Sequence, residues 1–155
     1  MKTSHGFLKL LKKWNAATWS DRAYLCEAVV FLAIATLAIR VLRFSFIART
    51  AAWGGRGTNL DSDERCAISS RVRWAIMACA CRVPWRAVCF QRGLAAQWML
   101  RRRGTPSILY YGAAPNRESG LAAHVWVRDG DFDVSGGEGS ERFAVLATFP
   151  EQLDR

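Results

Sequence analysis

Among five cysteines and two histidines, Cys89 and His124 are the pair whose settings suit a nucleophile and its base. Cys89 follows Pro84-Trp85 and opens a predicted helix, where unpartnered backbone N–H groups and the positive end of the helix dipole favour a thiolate. The same helix start can offer an N–H to the oxyanion of a tetrahedral intermediate, the main electrostatic need of acyl transfer. His124 lies in Ala122-Ala123-His124-Val125-Trp126-Val127, small and apolar residues on a predicted strand, so its imidazole is expected to be partly desolvated. A strand that follows a helix in the chain can return beside the helix start and bring base to nucleophile. Position alone also fits a buried, inert thiol and a histidine satisfied within the core. His5 belongs to a basic N-terminal segment and reads as incidental. Cys79 and Cys81 form a C-x-C, which lacks both the redox and the zinc spacing.

The elements that must position this pair follow from periodicity. Phe7, Leu8, Leu11 and Trp14 recur at helical spacing among lysines, a short basic amphipathic segment suited to membrane, partner or its own domain. Ser20-Asp21 offers an N-cap for a long helix to about Ile47, apolar on nearly every side from Ala28 and therefore expected to be buried. Gly54, Gly55 and Gly57 mark a loop, and Asn59, Asp61 and Ser62 supply turn and capping side chains. A second helix is expected from Glu64 to about Arg82, with Ile68, Val72, Ile76 and Cys79 as its core stripe, before Pro84. A third runs from about Ala87 to Arg103, with Phe90, Leu94 and Trp98 stacked at four-residue intervals, and ends at Gly104 and Pro106. The period then changes. Ile108 to Tyr111 and Ala122 to Arg128 read as strands, and the Asp129-Gly130 hairpin leads to a strand near Phe132 to Val134. Helices first and strands after indicate an α+β architecture. Trp126 reads as core packing.

A chain of 155 residues with 51% hydrophobic side chains fits one folded domain, which excludes a disordered protein. Residues 1–58 form an apolar N-terminal helical region and 59–155 the core that carries Cys89 and His124. The net charge of +9 attracts acidic partners. The runs Arg101, Arg102, Arg103 and Arg71, Arg73 read as solvated helix faces, and no nucleic-acid recognition motif is evident. An odd cysteine count without C-x-x-C pairs argues against a disulfide framework or a structural metal, so most thiols are expected to be buried in a reducing cytoplasm. The uncharged run Ala28 to Ile39, bracketed by Glu27 and Arg40, is shorter than the ~20 residues that span a bilayer. A buried or membrane-apposed helix is expected, in a cytoplasmic protein with peripheral membrane contact left open.

Two motifs stand in a telling order. The first is Val83-Pro84-Trp85-Arg86-Ala87-Val88-Cys89, continuing through Leu94-Ala95 to Met99-Leu100-Arg101-Arg102-Arg103-Gly104; the second is Ala123-His124-Val125-Trp126-Val127 before Asp129-Gly130. Together they resemble the lasso peptide leader peptidases, the C-terminal peptidase half of the lasso peptide biosynthesis B proteins, in the transglutaminase-like superfamily. The resemblance spans roughly Arg71 to Pro150. It implies a papain-like, transglutaminase-like fold with N-terminal helices packed on a small antiparallel sheet, and cysteine protease chemistry without a cofactor. Cys89 would attack the carbonyl at the leader–core junction of a lasso peptide precursor, His124 would shuttle the proton, and the acyl-enzyme would hydrolyse.

In such enzymes an Asp on the strand after the hairpin orients the histidine. Its aligned position falls near Ser135 and Gly136, and Asp133 is the nearest carboxylate on the same strand face. Asp131, Glu138, an Asn or a main-chain group are the other candidates. The resemblance also implies partners: the precursor peptide, a separate leader-recognition protein, for which this chain has no evident module, and an ATP-dependent lasso cyclase. Two other readings are an acyltransferase or amidase on the same fold, and a non-enzymatic basic protein that binds membrane or nucleic acid.

Overall fold

The computed structural model describes residues 18–52, 60–116 and 120–151. The expected N-terminal amphipathic segment, His5, Gly54, Gly55, Gly57 and Asn59 lie outside the described residues.

Helix α1 spans Trp19–Val41. Thr18 caps it, not the Ser20-Asp21 pair: the Thr18 hydroxyl accepts from the Asp21 N–H, and the Asp21 carboxylate accepts from the Thr18 backbone N–H. The helix also stops short of Ile47. Leu42 turns extended and a separate helix α2, Phe44–Ala52, follows. No glycine or proline marks this break, which is why the apolar periodicity runs through it unbroken. At 23 residues α1 is long and apolar enough, by length and composition alone, to cross a membrane. It is not buried all round. Ala28, Leu32 and Ala35 face the core, whereas Val30, Ile34, Leu37 and Val41 are exposed.

Helix α3 spans Ser62–Ala80, N-capped by Asp61, with Val72, Ile76 and Cys79 in the core as the stripe predicts. Helix α4, Cys89–Arg102, ends in a Schellman turn: left-handed Gly104 donates to the Arg101 carbonyl and Thr105 to that of Leu100. Strands β1 (Ile108–Asn116), β2 (Gly120–Asp129), β3 (Phe132–Ser135) and β4 (Ala144–Phe149) form one antiparallel sheet in the order β3-β2-β1-β4. The fourth strand was not foreseen. It pairs with β1 at the edge and exposes Val145 and Leu146.

The helices cover one face of the sheet. Leu109, Val125, Val127 and Val134 project from that face into a core shared with Val72, Ile76, Leu94 and Leu100. Buried Gln97 pins α4 to the sheet: its amide donates to the carbonyls of Ser107 and Phe149, and its oxygen accepts from the Ser107 hydroxyl. The arginine run is only partly a solvated face: Arg102 is exposed, Arg101 and Arg103 are half-buried, and all three make contacts. Arg102 and Arg103 both bind Glu27 of α1, Arg103 lies 4.1 Å over the Tyr24 ring, and Arg101 donates to the Ser107 carbonyl. Arg71 likewise reaches Ser20, and Arg73 reaches the Asp133 carbonyl. These contacts tie α1, α3, α4 and β3 together. The cysteines also depart from expectation, since only Cys79 is buried while Cys26, Cys66 and Cys81 are exposed and Cys89 is half-buried; all five are free.

Candidate active site

Cys89 is the first residue of α4. The turn before it is held by Arg92, whose guanidinium reaches back one turn to donate to the Ala87 carbonyl at 2.6 Å. Val88 occupies the N-cap and gives no side-chain hydrogen bond, so no side chain at the cap competes for the N–H groups around Cys89. Two buried polar atoms close to Cys89 in sequence have no hydrogen-bond partner, the indole Nε1 of Trp85 and the amide Oε1 of Gln91. A donor and an acceptor thus remain unused on either side of the thiol in the chain.

Helix α4 approaches β2 at Gly93, one turn after Cys89. A Cβ at Gly93 would stand 2.7 Å from Val125 Cγ1, so a side chain there would push helix from strand. The direction of α4 matters for the site. From Gln97, fixed to Ser107 and Phe149, the helix runs back past Gly93 at Val125 to Cys89, while β2 runs back from Arg128 to His124 at mid-strand, opposite Gly112. His124 thus adjoins Val125, the strand residue on which α4 packs one turn after Cys89.

The imidazole is half-buried and held on three sides. Its Nε2 lies 2.7 Å from the carbonyl oxygen of Gly136, the Phe143 ring is 4.9 Å away, and the Trp126 ring 5.9 Å away. Trp126 is 3% exposed and stacks on Tyr110 at 5.4 Å, so it is a wall of the histidine's pocket as well as packing. Gly136 is required for this geometry. Its φ is +71°, and a Cβ would fall 2.5 Å from the Val125 carbonyl. With Nε2–H donated to that carbonyl, Nδ1 is the nitrogen free to accept a proton.

Val125 faces α4, so the alternation of β2 turns His124 and Trp126 to the opposite face of the strand. Cys89 Sγ accordingly makes no hydrogen bond to the His124 ring. The structure brings nucleophile helix and histidine strand into contact through Gly93 and Val125 without closing the pair itself.

Asp133 is placed elsewhere. Its carboxylate accepts from Arg128 Nε at 2.7 Å, and Arg128 is pushed up from its ordinary pKa, chiefly by that hydrogen bond. The Asp133 carboxylate also fills the space beside Gly137, where a Cβ would meet it at 2.1 Å. The group at the His124 ring is the main chain of Gly136, at the position where alignment set the missing carboxylate. Neither Gly93, Gly136 nor Phe143 stood out in the sequence. A glycine inside a well-formed amphipathic helix was the one available signal for Gly93, because it costs helix stability unless a close approach requires it. Asp131 is exposed and Glu138 lies in an exposed turn.

Helices packed on a small antiparallel sheet, with a cysteine at a helix start and a histidine on a strand, give an α+β architecture consistent with a papain-like fold. The family model described as the Transglutaminase-like superfamily matches residues 28–148, and the chain belongs to that superfamily, whose members are typically cysteine-dependent enzymes. Neither a curated protein nor a solved structure matches the chain.

Proposed function

We propose that this chain is a cysteine peptidase that removes the leader from a ribosomally made lasso peptide precursor, working with a separate leader-binding protein and supplying an ATP-dependent cyclase with the freed core. The reading is carried by Cys89 at a helix N-terminus without a side-chain cap, on the helix that packs against β2, and by His124 on that strand with Nε2 held by the Gly136 carbonyl. Superfamily membership and the two motifs, in their order, support it.

In this mechanism His124 Nδ1 takes the Cys89 proton, the thiolate adds to the scissile carbonyl, and N–H groups at the start of α4 receive the oxyanion. The imidazolium then protonates the leaving amine, and water, deprotonated by the same ring, hydrolyses the thioester. The Gly136 carbonyl keeps the ring in the tautomer that leaves Nδ1 unprotonated. His124 faces away from α4 in this structure, so the mechanism requires a rearrangement of the ring and its strand on docking of substrate and partner, one that brings Nδ1 to Cys89 Sγ. The same thioester could pass to an amine, which is the acyltransferase reading.

Mass spectrometry of precursor incubated with the leader-binding partner and this chain tests both. Free leader and core are expected from wild type, and about a thousandfold less from Cys89→Ala or His124→Ala. Full cleavage by Cys89→Ala would end the proposal. An amine adduct in place of free acid would move it to acyl transfer.

A further inference from the structure

Helix α1 has two apolar faces. One, through Ala28, Leu32 and Ala35, is buried; the other, through Val30, Ile34, Leu37 and Val41, repeats the same spacing and faces solvent, with Leu37 63% and Val41 71% exposed. From Val30 to Val41 the stripe runs about 16 Å along the helix. Leu42 and Phe46, 43% and 58% exposed, carry it past the break into α2. Leaving so much contiguous hydrocarbon in water is costly, so it marks a surface that something covers.

The charges beside the stripe identify what covers it. Arg40, Arg43 and Arg49 are all exposed along its C-terminal half, with Arg49 over the Phe46 ring at 5.9 Å. From Ala28 to Leu60 the sequence contains no aspartate or glutamate. A second copy packed through the same segment would bring further arginines and, between Ala28 and Leu60, no carboxylate to meet them. An anionic lipid surface meets both needs: headgroup phosphates take the guanidinium groups while the side chains of the stripe enter the acyl boundary.

Spanning does not fit. The opposite face of α1 is packed on α3 and α4, and Glu27 is bound by Arg102 and Arg103, so crossing would strip the core and break that cluster. We propose that α1 and the start of α2 seat the protein on anionic membrane, with α1 lying in the interface and the sheet facing away.

Flotation of the full chain with vesicles tests this. The expected result is co-flotation with vesicles of phosphatidylcholine containing phosphatidylglycerol, weak flotation with phosphatidylcholine alone, and release as salt rises from about 0.1 to about 0.5 M. Leu37→Glu with Val41→Glu is expected to lower partitioning about tenfold or more. Arg40→Gln with Arg43→Gln, which leaves the apolar surface intact, is expected to remove the preference for anionic vesicles. Circular dichroism checks that both variants remain folded. Flotation unchanged in both variants, no flotation of wild type, or a stripe-dependent dimer by ultracentrifugation would each overturn the proposal.

Discussion

At its Asp129 end, β2 is fastened to the helical layer: the buried carboxylate accepts from Arg65 and, at 2.7 Å, from the Ser69 hydroxyl, both on α3. Halfway along, at His124, the same strand carries a ring with one hydrogen bond, to a carbonyl, and a nitrogen left free. The end is saturated with partners and the middle is not. A buried carboxylate with every contact made specifies how sheet and helices meet, whereas a base needs a vacant lone pair and access to substrate. If His124 is the base of the proposed peptidase, substitutions that affect these two positions should fail in different ways, one in stability and the other in turnover.

The largest effect is expected at His124. Gly136→Ala forces a side chain onto a left-handed residue and against the Val125 carbonyl, which must shift the carbonyl that holds His124. A displacement of about 1 Å at a catalytic base costs roughly a hundredfold in turnover. Single-turnover cleavage by the folded variant should show that loss, and a displaced pKa in its pH–rate profile would mark a mispositioned base. Wild-type turnover would show that the ring does not depend on this contact.

Asp129→Ala is expected to break the saturated end. It leaves the Ser69 hydroxyl without its acceptor and Arg65 without its counter-charge, at a cost of about 3 kcal/mol. Urea unfolding should report that loss, while turnover per folded molecule stays near wild type. A variant as stable as wild type would show that this end is not the fastening.

Smaller still is the effect at Glu27, which fastens α1 as Asp129 fastens β2. Burial pushes its carboxyl up, but the hydrogen bonds from Arg103 and Arg102 outweigh burial and hold it below the ordinary glutamate range. A carboxyl lowered in the folded state contributes stability above its unfolded pKa and loses it as pH falls through the folded one. Glu27→Gln should therefore unfold about 1 kcal/mol more easily at neutral pH, the scale of a partly screened pair, and match wild type in acid. Thermal melts across that range check the sign, and a gap that widened in acid would reverse it.

What could be read from the sequence follows from which groups are side chains. The stripes of α3 and α4, the Asp61 cap, the Gly104 stop and the Asp129-Gly130 hairpin each have a side-chain signature, and each appears where expected. The break at Leu42 has none, because an apolar pattern that continues into α2 looks like one helix. Nor could composition separate a helix buried all round from one with a lipid-like outer face, as in α1. Strand β4 lies at an edge, with weak alternation and Ala at two of its six positions. The partner of His124 was hidden most completely. A backbone carbonyl carries no residue type, and a search for a carboxylate leads to Asp133 instead.

Asp133→Asn is accordingly the smallest effect and the sharpest discriminator. If the Gly136 carbonyl orients His124, removing the Asp133 charge weakens only its half-exposed pair with Arg128, worth under about 1 kcal/mol, and leaves turnover within about twofold. If Asp133 swings to the ring in the working enzyme, the asparagine loses the charge that stabilises the imidazolium, and turnover falls by orders of magnitude. The two outcomes are far apart and the variant keeps the shape of the side chain, so a fall cannot be blamed on packing. A rate close to wild type would mean that a main-chain dipole is enough to hold the base in this chain.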